Sequence, residues 1–144
     1  MNKTRSNRGF TLLEIIVVVT IIAILAAYIA PKVAGRVDDA RISKAKSDIR
    51  VMESSMELYK LDNFVYPSND QGLDALVNRP SGENSRNWRE GGYIKKLTKD
   101  PWGNEYRYAY PGSNGEFDIF SLGADAAAGG EGEAADIGSW NLDS

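Results

Sequence analysis

The 144-residue chain contains no cysteine and no histidine, and each absence removes a class of chemistry. Without cysteine no disulfide can staple the fold, and no thiolate can serve as nucleophile or metal ligand. Without histidine, Ser-His and Cys-His catalysis and the commonest transition-metal ligand are lost, while carboxylate chemistry remains open. Positive charge is missing from the C-terminal part: after Arg107 no lysine or arginine occurs, while Glu116, Asp118, Asp125, Glu131, Glu133, Asp136 and Asp143 follow. The net charge is -3, and Lys3, Arg5 and Arg8 sit before residue 10, so the rest of the chain is more acidic still. Such a balance excludes nucleic acid as an expected partner.

Charge is almost absent from Phe10 to Ala30, where only Thr11, Glu14 and Thr20 interrupt an apolar run. As a helix these residues span roughly 31 Å, close to the thickness of a bilayer's hydrocarbon core. One membrane crossing is expected over residues 10–30. The basic residues before it keep the N-terminus cytoplasmic and send the rest to the other side. Glu14 is the anomaly, because a carboxylate at membrane depth costs roughly 2.5 to 3.5 kcal/mol at a helix centre. It needs a charge partner or a hydrated position at the membrane edge.

Ala30-Pro31 predicts a kink, since proline lacks an N–H and its ring crowds the carbonyl four residues back. The helical pattern then resumes: Ile42, Ala45, Ile49, Met52, Met56 and Tyr59 step by three and four and draw one apolar stripe. Residues 31–63 thus read as an amphipathic helix leading into a domain over 64–144, small enough to hold a single core. Tyr66-Pro67-Ser68-Asn69 marks a turn, and Gly72 to Val77 is short and helix-like. Glu105 to Tyr110 alternates Tyr106, Tyr108 and Tyr110 with Arg107 and Ala109, as a strand does. The turn Pro111 to Gly115 joins it to a second strand, Phe117 to Leu122, and Ile137 to Leu142 supplies a third. The fold class is α+β: a long N-terminal helix, kinked near Pro31, packed on a small three-stranded antiparallel sheet.

The acidic stretch from Asp125 to Asp136 is rich in glycine and poor in core-forming residues. Left to itself it is a solvated, self-repelling loop. A hard cation such as Ca²⁺, which accepts six to eight oxygen ligands in flexible geometry, would order it, although the spacing is not that of an EF-hand.

Two sets of residues carry a family resemblance. Arg8-Gly9-Phe10-Thr11-Leu12-Leu13-Glu14 resembles the processing motif of type IV pilins and type II secretion pseudopilins. The resemblance implies a leader, residues 1–9, removed by a prepilin peptidase between Gly9 and Phe10, and an N-methylated new terminus. It also implies that Glu14 pairs with the Phe10 ammonium of a neighbouring subunit as a filament grows. Further along, Tyr59 to Asn63, Tyr66 to Ser68, Gln71 to Val77, Gly92 to Leu97, Asp100 to Asn104 and Ser121 to Asp125 look like the major pseudopilins of the type II secretion system.

That resemblance implies a structural, non-enzymatic subunit. It would be anchored once in the inner membrane with its C-terminal domain in the periplasm, and would polymerise into a pseudopilus that supports export of folded proteins. The implied partners are further copies of the chain, minor pseudopilins, the prepilin peptidase and the inner-membrane assembly platform. The resemblance further implies calcium in the C-terminal loop, with Asp125 and Asp136 as carboxylate ligands, the Leu122 carbonyl beside them, and Ala127 and Ser139 as additional ligands. Ala135 stands where some relatives carry a second acidic residue, a place that Glu131, Glu133 or water could fill. Rival readings are a type IV or competence pilus subunit, disfavoured by the missing cysteines, and a membrane-tethered hydrolase using carboxylates, for which no paired-carboxylate motif appears outside the loop.

Overall fold

The structure, a computed structural model, describes residues 9–82 and 85–143. The expected leader lies outside the described residues as far as Arg8, together with Lys3 and Arg5. In chain order the elements are helix α1 (Leu12–Asn63), a 3-10 turn (Leu73–Leu76), strands β1 (Arg107–Ala109) and β2 (Asp118–Ser121), a second 3-10 turn (Gly132–Ala134) and strand β3 (Ile137–Gly138). The chain divides into two compact units, one ending at Val37 and the other comprising Asp38–Ser144.

In the first unit every residue from Gly9 to Pro31 is exposed, including Phe10 at 79% and Ile24 at 65%. The helix is long and apolar enough to cross a membrane. The mid-run Thr20 hydroxyl is absorbed locally: Thr20 Oγ1 donates to the Ile16 carbonyl at 2.7 Å, which spares the apolar run an unpaired donor. Helical structure continues through Pro31 without interruption, so the proline removes one bond of the ladder but does not end the helix.

In the second unit the α1 stripe is where its spacing puts it. Ala45, Ile49, Met56 and Tyr59 are fully buried, Met52 nearly so, and Ile42 packs at the margin. Each large apolar side chain buried this way contributes about 1.5–3 kcal/mol. The sheet has the order β1-β2-β3, antiparallel throughout, with Tyr108 opposite Ile119 and Phe120 opposite Gly138. The tyrosines of the alternating segment turn toward the core: Tyr106 donates to Asp48 of α1 at 3.0 Å, Tyr108 donates to the Pro67 carbonyl at 2.9 Å, and Tyr110 stands edge-on to Tyr66. Tyr66 also packs edge-on against Phe117, centroids 4.8 Å apart, a geometry worth about 0.5–1.5 kcal/mol beyond the buried area.

The strands are shorter than the alternation suggests, for local reasons. β1 stops before Tyr110, whose main chain faces away from β2 and is held by the Asn69 side chain: Asn69 Nδ2 donates to the Tyr110 carbonyl and Tyr110 N donates to Asn69 Oδ1, both at 2.7 Å. β3 ends at Gly138 because the chain turns there, with Asn141 N donating to the Gly138 carbonyl and Gly138 N donating to Asn141 Oδ1. The Trp140 ring lies over Gly138 and within 5.7 Å of Phe120, so a side chain at 138 would collide with the indole.

Asp100 holds the turn before β1. Its Oδ1 accepts from Trp102 N and Asn104 N, and its Oδ2 accepts from the fully buried Ser121 hydroxyl at 2.6 Å. A buried carboxylate with all of these donors is satisfied, and it ties the turn to the middle strand.

Candidate functional site

Two regions carry the residues singled out from the sequence. At the start of α1, Thr11 is the N-cap: its Oγ1 accepts from Glu14 N at 3.2 Å. Thr11 and Glu14 thus occupy the first and last positions of a capping box, a T-x-x-E pattern that satisfies otherwise orphaned N–H groups. Glu14 also sits in the first turn, where the helix dipole favours negative charge. This local pattern is legible in the spacing of Thr11 and Glu14. Phe10 and Gly9 precede the helix and are exposed, as is Glu14.

The second region is the loop between β2 and β3. Its neck is closed by Ala124 N donating to the Glu133 carbonyl at 2.8 Å. Gly123 makes this closure possible, because it has φ +66 and a Cβ there would meet the carbonyls of Glu133 and Ala135. Inside the loop Asp125 Oδ1 accepts from Ala127 N at 3.1 Å, and Asp136 Oδ2 accepts from Gly129 N at 3.0 Å. The other oxygen of Asp136, Oδ1, is buried and has no hydrogen-bond partner. Leu122 is half-buried at the exit of β2. Ser139 faces a different neighbour: its hydroxyl accepts from Ile119 N at 3.3 Å, on the middle strand.

A buried carboxylate oxygen without a donor is costly in an apo loop and is what a hard cation satisfies. Among the described residues no group of three or more Asp, Glu, His or Cys side chains converges. Any cation held here therefore draws on one or two carboxylates and otherwise on carbonyl and water oxygens. That donor set suits Ca²⁺, which tolerates irregular coordination, better than Mg²⁺.

Glu133 serves another purpose. Its Oε1 accepts from Arg41 at 3.0 Å and from Trp102 Nε1 at 3.2 Å, which ties the loop to α1 and to the turn held by Asp100. The Arg41 hydrogen bond foremost, and next that of Trp102, hold the Glu133 carboxyl below the usual glutamate range. Asp38, also on this part of α1, is pushed up by desolvation and then by the Glu133 charge. A second clasp lies near the C-terminus, where Arg50 donates to the Leu142 carbonyl at 3.0 Å and to Asp143 at 2.7 Å. Neither clasp has a sequence signal, since the partners in each stand more than ninety positions apart.

Residues 32–140 match the family described as type II secretion system, protein G, and residues 4–30 match the prokaryotic N-terminal methylation motif. Among curated proteins the chain is similar to type II secretion system core protein G of Vibrio cholerae, 54% identical over 99% of this chain and 97% of that one. It is 52% identical to core protein G of Pseudomonas aeruginosa, over 95% and 97%, and 44% identical to that of Escherichia coli, over 99% and 97%. Among solved structures it resembles the major pseudopilin from the type 2 secretion system of enterohaemorrhagic Escherichia coli. The TM-score is 0.65 at 42% identity, covering 74% of this chain and 92% of that one.

Proposed function

The chain belongs to the protein G family of the type II secretion system, and from that premise we propose that it is a major pseudopilin, the repeating subunit of a periplasmic pseudopilus. The observation that carries this reading is the first unit of the structure. Every large apolar side chain from Phe10 to Ile29 is exposed, far more apolar surface than a soluble monomer tolerates. Lipid covers it before assembly, and the same segments of neighbouring copies cover it in the fibre. The chain crosses the inner membrane once, with Asp38–Ser144 in the periplasm.

A prepilin peptidase removes residues 1–9 and leaves an ammonium at Phe10. In the bundle of helices that charge meets Glu14 of the adjacent subunit, which makes an unpaired carboxylate the penalty for wrong register. Minor pseudopilins and the inner-membrane assembly platform are the other partners. The role is structural: the subunit positions its neighbours and catalyses nothing.

Calcium, when bound, supplies a hard positive centre that collects oxygen ligands in the C-terminal loop. Asp136 would hold it through Oδ1 and Asp125 through its carboxylate, with the carbonyls of Leu122 and Ala127 beside them. Ser139 is the weakest member of this set, because its hydroxyl already accepts from Ile119 N. Glu133 keeps Arg41 and Trp102 as partners and holds the loop to α1.

Deletion of the gene, with secreted proteins followed in the periplasm and in the medium, tests the reading. Exoproteins should accumulate in the periplasm and be released again when the chain is supplied in trans. Unimpaired export in the deletion strain would overturn it.

A further inference from the structure

The sheet has two edges, and the direction of every main-chain group on the β1 edge can be worked out from β2. Ser139 N donates to the Ile119 carbonyl at 2.9 Å, so the odd-numbered residues of β2 direct their backbone to β3. Alternation along an antiparallel ladder then leaves Asp118 and Phe120 to bond Ala109 and Arg107. Tyr108, opposite Ile119, and Tyr106 in the same phase turn their N–H and C=O groups away from the sheet.

Contacts at both ends agree. Tyr110 has both main-chain groups engaged by the Asn69 side chain on the outer side, and the Asn104 carbonyl accepts from Asp100 N at 2.8 Å. Between these two closures, the main-chain groups of Tyr106 and Tyr108 have no partner among the described residues.

A regular hairpin closing on the Asp100–Asn104 turn would bring Thr98 across from Tyr106. No ladder bond joins the two arms. Instead a cavity of about 500 Å³ lies there, with Leu97, Thr98 and Lys99 lining it from one arm and Glu105, Tyr106 and Tyr108 from the other. One residue of extended chain fills about 160 Å³, from a rise of about 3.3 Å, a strand spacing of about 4.8 Å and a sheet depth of about 10 Å. The cavity therefore has room for roughly three residues, the length of the open stretch from Tyr106 to Tyr108.

We propose that this cavity is a strand-addition site, in which an extended segment of a partner polypeptide lies beside β1 and exchanges main-chain hydrogen bonds with Tyr106 and Tyr108. Main-chain donors and acceptors at alternate residues are the pattern that another extended chain complements, and a helix or a small anion cannot match them in series. The lining sets Lys99 against Asp74 and Glu105, so charge selects weakly. Leu73 and Leu97 favour an apolar side chain at one alternate position of the incoming segment. The site is separate from the apolar helix and from the acidic loop, and it stands whether or not the chain polymerises.

Hydrogen exchange read by NMR on the full chain in detergent micelles tests the proposal. The probes are the blocked pentapeptide Thr-Val-Thr-Val-Thr and the same peptide N-methylated at both valines. In the free chain the amides of Tyr106 and Tyr108 should exchange at least tenfold faster than those of Arg107 and Ala109, as expected for unpaired edge groups (about a 1.4 kcal/mol difference in opening). The unmodified peptide at millimolar concentration should slow Tyr106 and Tyr108 saturably, and the methylated peptide should not. Protection of both amides in the free chain would mean that the chain's own arm closes the edge, and would overturn the proposal. So would unchanged exchange with peptide, or equal slowing by the methylated control.

Discussion

Replacing Asp136 by asparagine should leave stability near that of the wild type without calcium and well below it when calcium is added. In the loop Asp136 Oδ2 accepts from Gly129 N, and Oδ1 is buried with no donor. Without a cation the wild-type chain bears an unsatisfied buried carboxylate oxygen, which costs about 1–3 kcal/mol. Asp136→Asn keeps an oxygen for Gly129 and removes the charge but sets an amide NH2 in the buried position, so in EDTA the variant should lie within about 1 kcal/mol of the wild type. With calcium at about 100 times its dissociation constant the wild type gains about 2.7 kcal/mol, and the variant, short of a carboxylate ligand, gains much less. For a unit of roughly a hundred residues, each kcal/mol moves the melting temperature by about 4 °C or more. Thermal unfolding of both proteins in micelles, followed by near-ultraviolet circular dichroism, resolves such shifts. A wild type that melts well above the variant in EDTA and does not respond to calcium would refute the reasoning.

Two further outcomes follow from the second unit. Ile49→Ala empties a fully buried position on the α1 stripe and should lower stability by about 2–5 kcal/mol in denaturant unfolding; a loss below half a kcal/mol would mean that α1 is not the floor of the core. Glu133 has its folded pKa below the ordinary 4.5, held there by Arg41 and then Trp102. Its clasp is therefore complete above that ordinary value and fades as pH falls through the depressed one. Glu133→Gln should flatten this acid limb of the stability curve, and an unchanged limb would show that the clasp does not couple to folding.

Much of the second unit was legible because its signals are local. The three-and-four spacing from Ile42 to Tyr59 marks the buried face residue by residue, and the tyrosine alternation marks the side of β1 that meets the helix. The turn residues from Pro111 to Gly115 place the hairpin. What the spacing cannot carry is long-range. Asp100 and Ser121 meet across 21 positions and Arg41 and Glu133 across 92, and neither pair leaves a periodicity. The strand ends are marked by side-chain bonds that alternation does not show, Asn69 engaging Tyr110 from 41 positions away and Asn141 engaging Gly138 from three.

Within the loop, Asp125 and Asp136 stand out in the sequence as acidic residues, whereas the bond from Ile119 N to the Ser139 hydroxyl and the bonds of Glu133 to Arg41 and Trp102 leave no mark in it. At the N-terminus the opposite lesson applies: the Thr11–Glu14 capping box is a four-residue pattern and was readable. Within its own helix Glu14 gives its main-chain N–H to Thr11 and places its charge in the first turn, in addition to any role between subunits.

Those two roles can be separated, because glutamine at the same position still suits a capping box but carries no charge. The central measurement is electron microscopy of surface-sheared fractions from cells producing the secretion assembly platform together with either the wild-type chain or Glu14→Gln. Mass spectrometry of the N-terminus accompanies it. The account predicts fibres that begin at methylated Phe10 for the wild type, and cleaved subunits without fibres for the variant. Normal fibres from Glu14→Gln would contradict it, leaving Glu14 as a first-turn residue of its own helix and removing the charge pair from assembly.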